Sequence, residues 1–132
     1  MNVMESLGQA GFSWTVTRRD GVAILTPAGE LDLSSAAEFR RGFSHAMSQV
    51  KPVLIVADLQ CVDFCDSSGL NALIQAAGTV EAEGGRLLFS GIQPRVARLL
   101  RMTGLDKRFR TCATADDAAA LLSWPVDPGA TA

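Results

Sequence analysis

Val53-Leu54-Ile55-Val56-Ala57 is an unbroken run of five apolar residues. It is bounded by Lys51-Pro52 before it and Asp58 after it, so it has strand length rather than helix length. A run without polar alternation leaves neither face for water and reads as a central strand covered on both sides. The segments around it must then supply the covering layers. A chain of 132 residues, 48% hydrophobic and 20% charged, is long enough to do so as one domain. It should bury roughly two-thirds of its unfolded surface without a disulfide or metal staple.

The flanks have the required periodicities. Phe12, Trp14 and Val16 alternate with Ser13, Thr15 and Thr17 as in a strand, and Asp20-Gly21 signals a hairpin into a return strand, Val22 to Pro27. Pro27 suggests that this strand ends or leaves its ladder there. Gly29-Glu30-Leu31-Asp32 reads as a loop. Ser34 or Ser35 then caps a helix, with Glu38 placed for a capping box and Phe39, Phe43, Ala46, Met47 and Val50 on its buried side. After the central strand, Asp66 or Ser67 opens a second helix that ends at Gly84-Gly85. Arg86 to Ser90 is another strand. Pro94 starts a third helix and Gly104 caps it, and Thr114 opens a fourth. The order is ββαβαβαα: an α/β fold with a mixed sheet of four to five strands and helices packed on it. Residues 1–11 read as a flexible leader and 125–132 as a flexible tail.

Composition removes several functions. Twelve basic and fourteen acidic side chains leave a net charge of −2, unlike a dedicated nucleic-acid binder. One histidine, His45, is too few for multi-histidine metal sites. Cys61, Cys65 and Cys112 are an odd set with no CxxC spacing, so no zinc signature or disulfide framework is expected. No phosphate-binding loop, GxGxxG or GxSxG string occurs, and no cofactor is implied. No apolar run approaches the roughly 20 residues of a membrane span, and Met1 to Gly11, without a basic or apolar stretch, is not expected to act as a signal peptide. A cytoplasmic protein without membrane insertion is expected.

The string that stands out is Asp63-Phe64-Cys65-Asp66-Ser67-Ser68-Gly69-Leu70, between the central strand and the second helix. In its simplest reading Asp66 or Ser67 is a helix cap. The same position displays a serine hydroxyl beside free helix N–H groups, where a phosphate would be tolerated. Asp66-Ser67-Ser68-Gly69-Leu70, preceded by Asp58-Leu59, resembles the D-S-[ST]-G-[LIV] hallmark of STAS domains, in particular the bacterial anti-sigma factor antagonists. Gly29-Glu30-Leu31-Asp32 and Met102-Thr103-Gly104-Leu105, followed by Phe109, resemble two further elements of that family. The resemblance spans most of the chain and implies a STAS domain over 12–124.

What the resemblance implies is a switchable binding protein, not an enzyme. Its unphosphorylated form would hold an anti-sigma factor that is also a serine kinase, freeing the sigma factor. Phosphorylation at Ser67, with Ser68 as second choice, would release the kinase, and a protein phosphatase would reset it. Asp32, Asp66, Ser67, Ser68 and Gly69 would form the partner-binding surface. Two alternatives stay open: an unphosphorylated STAS subunit regulating an ABC-type or anion transporter, and a small thiol or carboxylate enzyme using Cys65 with Asp63 or Asp66. Cys65 departs from the larger apolar residue common in the family, and Asn71 from a glycine. Arg95, Arg98, Arg101, Lys107, Arg108 and Arg110 form a basic cluster that is either a solvated face or a docking patch for an acidic partner or a membrane surface.

Overall fold

A computed structural model describes residues 3–6 and 11–123. The strands are β1 (Val3–Ser6), β2 (Ser13–Arg19), β3 (Val22–Leu31), β4 (Leu54–Asp58), β5 (Cys61–Cys65), β6 (Arg86–Ser90) and β7 (Thr111–Cys112). The helices are α1 (Ala36–Ser48), α2 (Ser67–Ala82), α3 (Pro94–Thr103) and α4 (Ala115–Ser123). All seven strands join one mixed sheet in the order β1-β2-β3-β4-β6-β7, with β5 pairing β3 off that path. The two hairpin pairings are antiparallel and the rest are parallel.

The apolar run is the centre of this sheet. Val53, Ile55, Val56 and Ala57 are buried and Leu54 is half-buried. Side chains alternate across β3, β4 and β6. Ala23, Leu25, Ile55, Ala57 and Phe89 face the larger core, which α1, α2 and α3 cover. Val22, Ile24, Val56 and Leu88 face the other way, and Ala118, Ala119 and Leu122 of α4 cover them. Asp20 and Gly21 both take positive φ (53° and 79°), as a tight hairpin turn requires. Gly104 ends α3 in the left-handed conformation, and the Thr114 hydroxyl accepts from the Asp117 N–H at 3.1 Å, both as expected.

Four expectations change. Val3–Ser6, inside the supposed leader, forms an edge strand on β2. The expected tail, 125–132, lies outside the described residues. The sheet has seven strands rather than four to five, because β1, β5 and β7 are short strands recruited by their neighbours. β3 also runs past Pro27 to Leu31. Its parallel partner is β4 as far as the Leu25–Ala57 pair and β5 from the Ala28–Cys61 pair. Pro27 falls in the gap between these two ladders, where a missing N–H costs no parallel ladder bond. Finally, Ser35 makes no side-chain cap on α1. Its hydroxyl donates instead to the Glu30 carbonyl at 2.6 Å, and the Glu38 carboxylate accepts from Trp14 Nε1 at 2.8 Å.

Candidate functional site

The switch from β4 to β5 beside β3 creates the site. Leu31 and Cys65 are register partners at the ends of two parallel strands. The residues that follow them, Asp32 and Asp66, therefore emerge side by side. The Asp66 N–H donates to the Leu31 carbonyl at 3.3 Å, tying the two strand ends together. One turn into α2, a Cβ on Gly69 would overlap the same Leu31 carbonyl oxygen and sit 2.7 Å from Cys65 Sγ. Only a glycine lets the helix start this close to the end of β3. Gly69 is buried, so its contribution to the surface is this close approach and not a contact of its own.

Asp66 is the N-cap of α2, its carboxylate accepting from the Gly69 N–H at 3.0 Å. That arrangement places Ser67 at the first helical position, exposed, with no hydrogen-bond partner for its hydroxyl among the described residues. Ser68 is half-buried. The first turn of α2 holds no acidic residue beyond the cap, so its positive end is uncompensated by its own side chains.

On the other strand end, Asp32 organises its own loop. Its Oδ1 accepts from the Ser34 hydroxyl at 2.7 Å, the Ser34 N–H at 2.9 Å and the Ser35 N–H at 3.2 Å. The Ser34 hydroxyl bond is the main reason its carboxyl sits below the usual carboxylate range; partial desolvation opposes it and the two backbone N–H groups add to it. Asp32 and Asp66 are thus brought together by backbone, with no hydrogen bond from Asp32 to Ser67. Asp63 is exposed and lines a shallow cleft with Asp32, Gly29 and Ser34. Two apolar side chains that the sequence reading left out lie by the same strand ends: Leu33 is 80% exposed and Phe64 36%. Leu33 continues the polar–apolar alternation of Glu30-Leu31-Asp32, so its exposure had no signal in the sequence; it follows from β3 ending at Leu31.

Cys65 is buried beneath this surface, and burial, with a smaller push from Asp66, raises its thiol to about 12. A thiol so rarely ionised at neutral pH is a poor nucleophile. Iodoacetamide at pH 8 should label exposed Cys61 and leave Cys65 unmodified until the chain unfolds, as peptide mapping would show. The same shift has a stability consequence. Above the ordinary value of 9.0 the unfolded chain loses this proton while the folded one keeps it, so stability should fall from about pH 9 upward. The slope is at most about 1.4 kcal/mol per pH unit. The basic cluster is split: Arg95, Arg98 and Arg101 are exposed along α3, while Arg108 and Arg110 lie beside β6 and β7.

Comparison with known proteins fits this geometry. The STAS domain family model matches residues 13–118. The anti-sigma-F factor antagonist RsfB of Mycobacterium tuberculosis is 36% identical over 107 residues, spanning 79% of this chain and 84% of that protein. An anti-sigma F factor antagonist of Paenibacillus polymyxa is 33% identical over 87 residues, 66% of this chain and 74% of its own length. Among solved structures, an anti-sigma factor antagonist from Mycobacterium paratuberculosis superposes with a TM-score of 0.71 at 26% identity, over 92% of this chain and 94% of that one. Among the described residues, no helix is long and apolar enough to cross a membrane.

Proposed function

The chain belongs to the STAS domain family, and from that premise we propose that it is an anti-sigma factor antagonist switched by phosphorylation at Ser67. The observation that carries the switch is the Ser67 hydroxyl itself: exposed, unpartnered among the described residues, and held at the first position of α2 by the Asp66 cap. The unphosphorylated surface, with Asp32 and its loop on one side and Asp66, Ser67 and Ser68 on the other, binds an anti-sigma factor that is also a serine kinase. A phosphate on Ser67 adds about −1.5 to −2 charges. The helix terminus accommodates that charge, so the domain stays folded. The partner's surface packed against it does not, so the complex separates. A protein phosphatase returns the chain to its binding form.

Ser68 is the weaker candidate because it is half-buried. A kinase must reach the hydroxyl from outside, and Ser67 offers that access. Phosphosite mapping by mass spectrometry on the chain isolated from its host tests the assignment. Phosphate is expected on Ser67 and should vanish in Ser67→Ala. Phosphate on Ser68 alone, or on neither residue across growth conditions, would overturn it.

A further inference from the structure

Arg108 and Arg110 have no part in the surface around Ser67. They lie by a second feature near the other end of α2. Glu81, which borders it, is fourteen residues along the helix from Ser67, or about 21 Å of helix rise.

The feature is an open sheet edge. Among the described residues, β7 pairs only with Phe89 and Ser90 of β6. The Arg86 N–H donates to the Val53 carbonyl on the β4 side at 2.8 Å, and the Phe89 N–H donates to the Arg110 carbonyl on the opposite side at 2.9 Å. Backbone groups alternate along a strand, so Leu87 turns its N–H and C=O outward, away from β4. Neither has a backbone partner among the described residues. A cleft of about 560 Å³ lies along this edge, walled by Val80 of α2 and Leu121 of α4 and bordered by Arg86, Arg108 and Arg110. Leu121 is 57% exposed.

We propose that this cleft docks an extended acidic segment of a partner protein, added as a strand along β6. Unpaired main-chain groups supply the hydrogen bonds of such an addition, and flanking pockets supply its selectivity. Charge selects the occupant. Among the described residues, three guanidiniums line this cleft against one carboxylate, Glu81. Their present contacts are long: Arg108 to Glu81 at 3.9 Å and Arg86 to the Leu121 carbonyl at 3.4 Å. Arg110 has no ion pair among the described residues. All three are thus available to incoming carboxylates. The same charges oppose a second copy of this chain, whose edge would set arginines against arginines.

The probe is a dye-labelled hexapeptide of alternating valine and glutamate, titrated against the full chain by fluorescence anisotropy, with a valine–lysine hexapeptide as control. The acidic peptide should bind saturably, weaken as salt is raised, and protect the Leu87 amide from hydrogen exchange. Arg108→Glu with Arg110→Glu should weaken it at least about 10-fold. Arg110→Glu alone removes no ion pair from the fold and should weaken it in the same direction, with circular dichroism confirming that both variants fold. No saturable binding at millimolar peptide, equal binding of the lysine peptide, or an unprotected Leu87 amide would each overturn the proposal. So would a dimer that protects Leu87 without peptide, since the edge would then belong to a second copy. Ser67→Ala should bind the peptide like the unaltered chain, so this result and the Ser67 assignment stand or fall separately.

Discussion

Replacing Ser67 by Glu is expected to weaken the complex with the anti-sigma factor by about 100-fold while moving the melting temperature by only a few degrees. The two readouts separate because the added charge meets two different environments. In the free chain, Ser67 is exposed at the positive end of α2. A carboxylate there gains about 0.3–1 kcal/mol from the helix terminus. Asp66, Asp63 and Asp32 stand at or beside the same strand ends and repel it by a comparable amount through water. The terms nearly cancel, and the fold is left as stable as before. In the complex, that carboxylate is desolvated against a partner surface matched to a neutral hydroxyl. An unpaired charge buried in an interface costs roughly 2–5 kcal/mol, and the middle of that range exceeds 100-fold. Titration calorimetry against the purified partner, beside thermal melts of the free chain, would check both numbers. Ser67→Ala keeps the surface neutral and should bind within a few-fold of the unaltered chain. Tight binding by Ser67→Glu would show that the partner does not cover this hydroxyl, and the switch would fail with it.

The parts of this arrangement legible in the sequence are those fixed by local chemistry. The unbroken apolar run located the sheet centre, because five apolar, β-branched-rich residues between Lys51-Pro52 and Asp58 are too short for a buried helix and long enough for a strand covered on both faces. Asp66, Ser67 and the helix start followed from capping, which depends on residues three apart. Gly104 and the Asp20-Gly21 turn followed from backbone conformations that few residues adopt. What was hidden is what neighbours impose. β5 carries Asp63 and two cysteines and shows no strand alternation, yet it pairs with β3 because β3 extends beyond β4. Pro27 signalled either a strand end or a departure from the ladder, and the sequence could not show that β3 takes a new parallel partner there and continues. Glu38 had the spacing of a capping box, but the Trp14 indole N–H, 24 residues earlier, engages its carboxylate. In the site itself, both aspartates were visible as residues, and only the family resemblance implied that they share a surface. The physical basis of that adjacency, the Leu31–Cys65 register and the approach at Gly69, was not legible.

That approach sets up the second large effect, which Gly69 and Gly78 of the same helix bring out by contrast. Gly69→Ala should destabilise the domain by about 2 kcal/mol, lowering its melting temperature by roughly 8 °C. Gly78→Ala should stabilise it by about 0.5–1 kcal/mol. Helix propensity favours alanine at both positions, so any difference must come from space. Around Gly78 a new Cβ meets nothing within 4 Å. At Gly69 it meets the Leu31 carbonyl, a backbone atom held in the β3 ladder, and Cys65 Sγ at 2.7 Å. A flexible side chain could swing aside, but a carbonyl in a ladder moves only with its strand. Relief therefore means backing α2 away from β3, which stretches the 3.3 Å bond from the Asp66 N–H to the same carbonyl. The Asp32 loop and Ser67 then separate, so affinity for the anti-sigma factor should fall with stability in Gly69→Ala and stay unchanged in Gly78→Ala. Paired thermal melts and binding titrations would read both effects. Equal melting temperatures for the two variants would mean that the strand end yields freely, and the adjacency of Asp32 and Asp66 would then need a support other than this glycine.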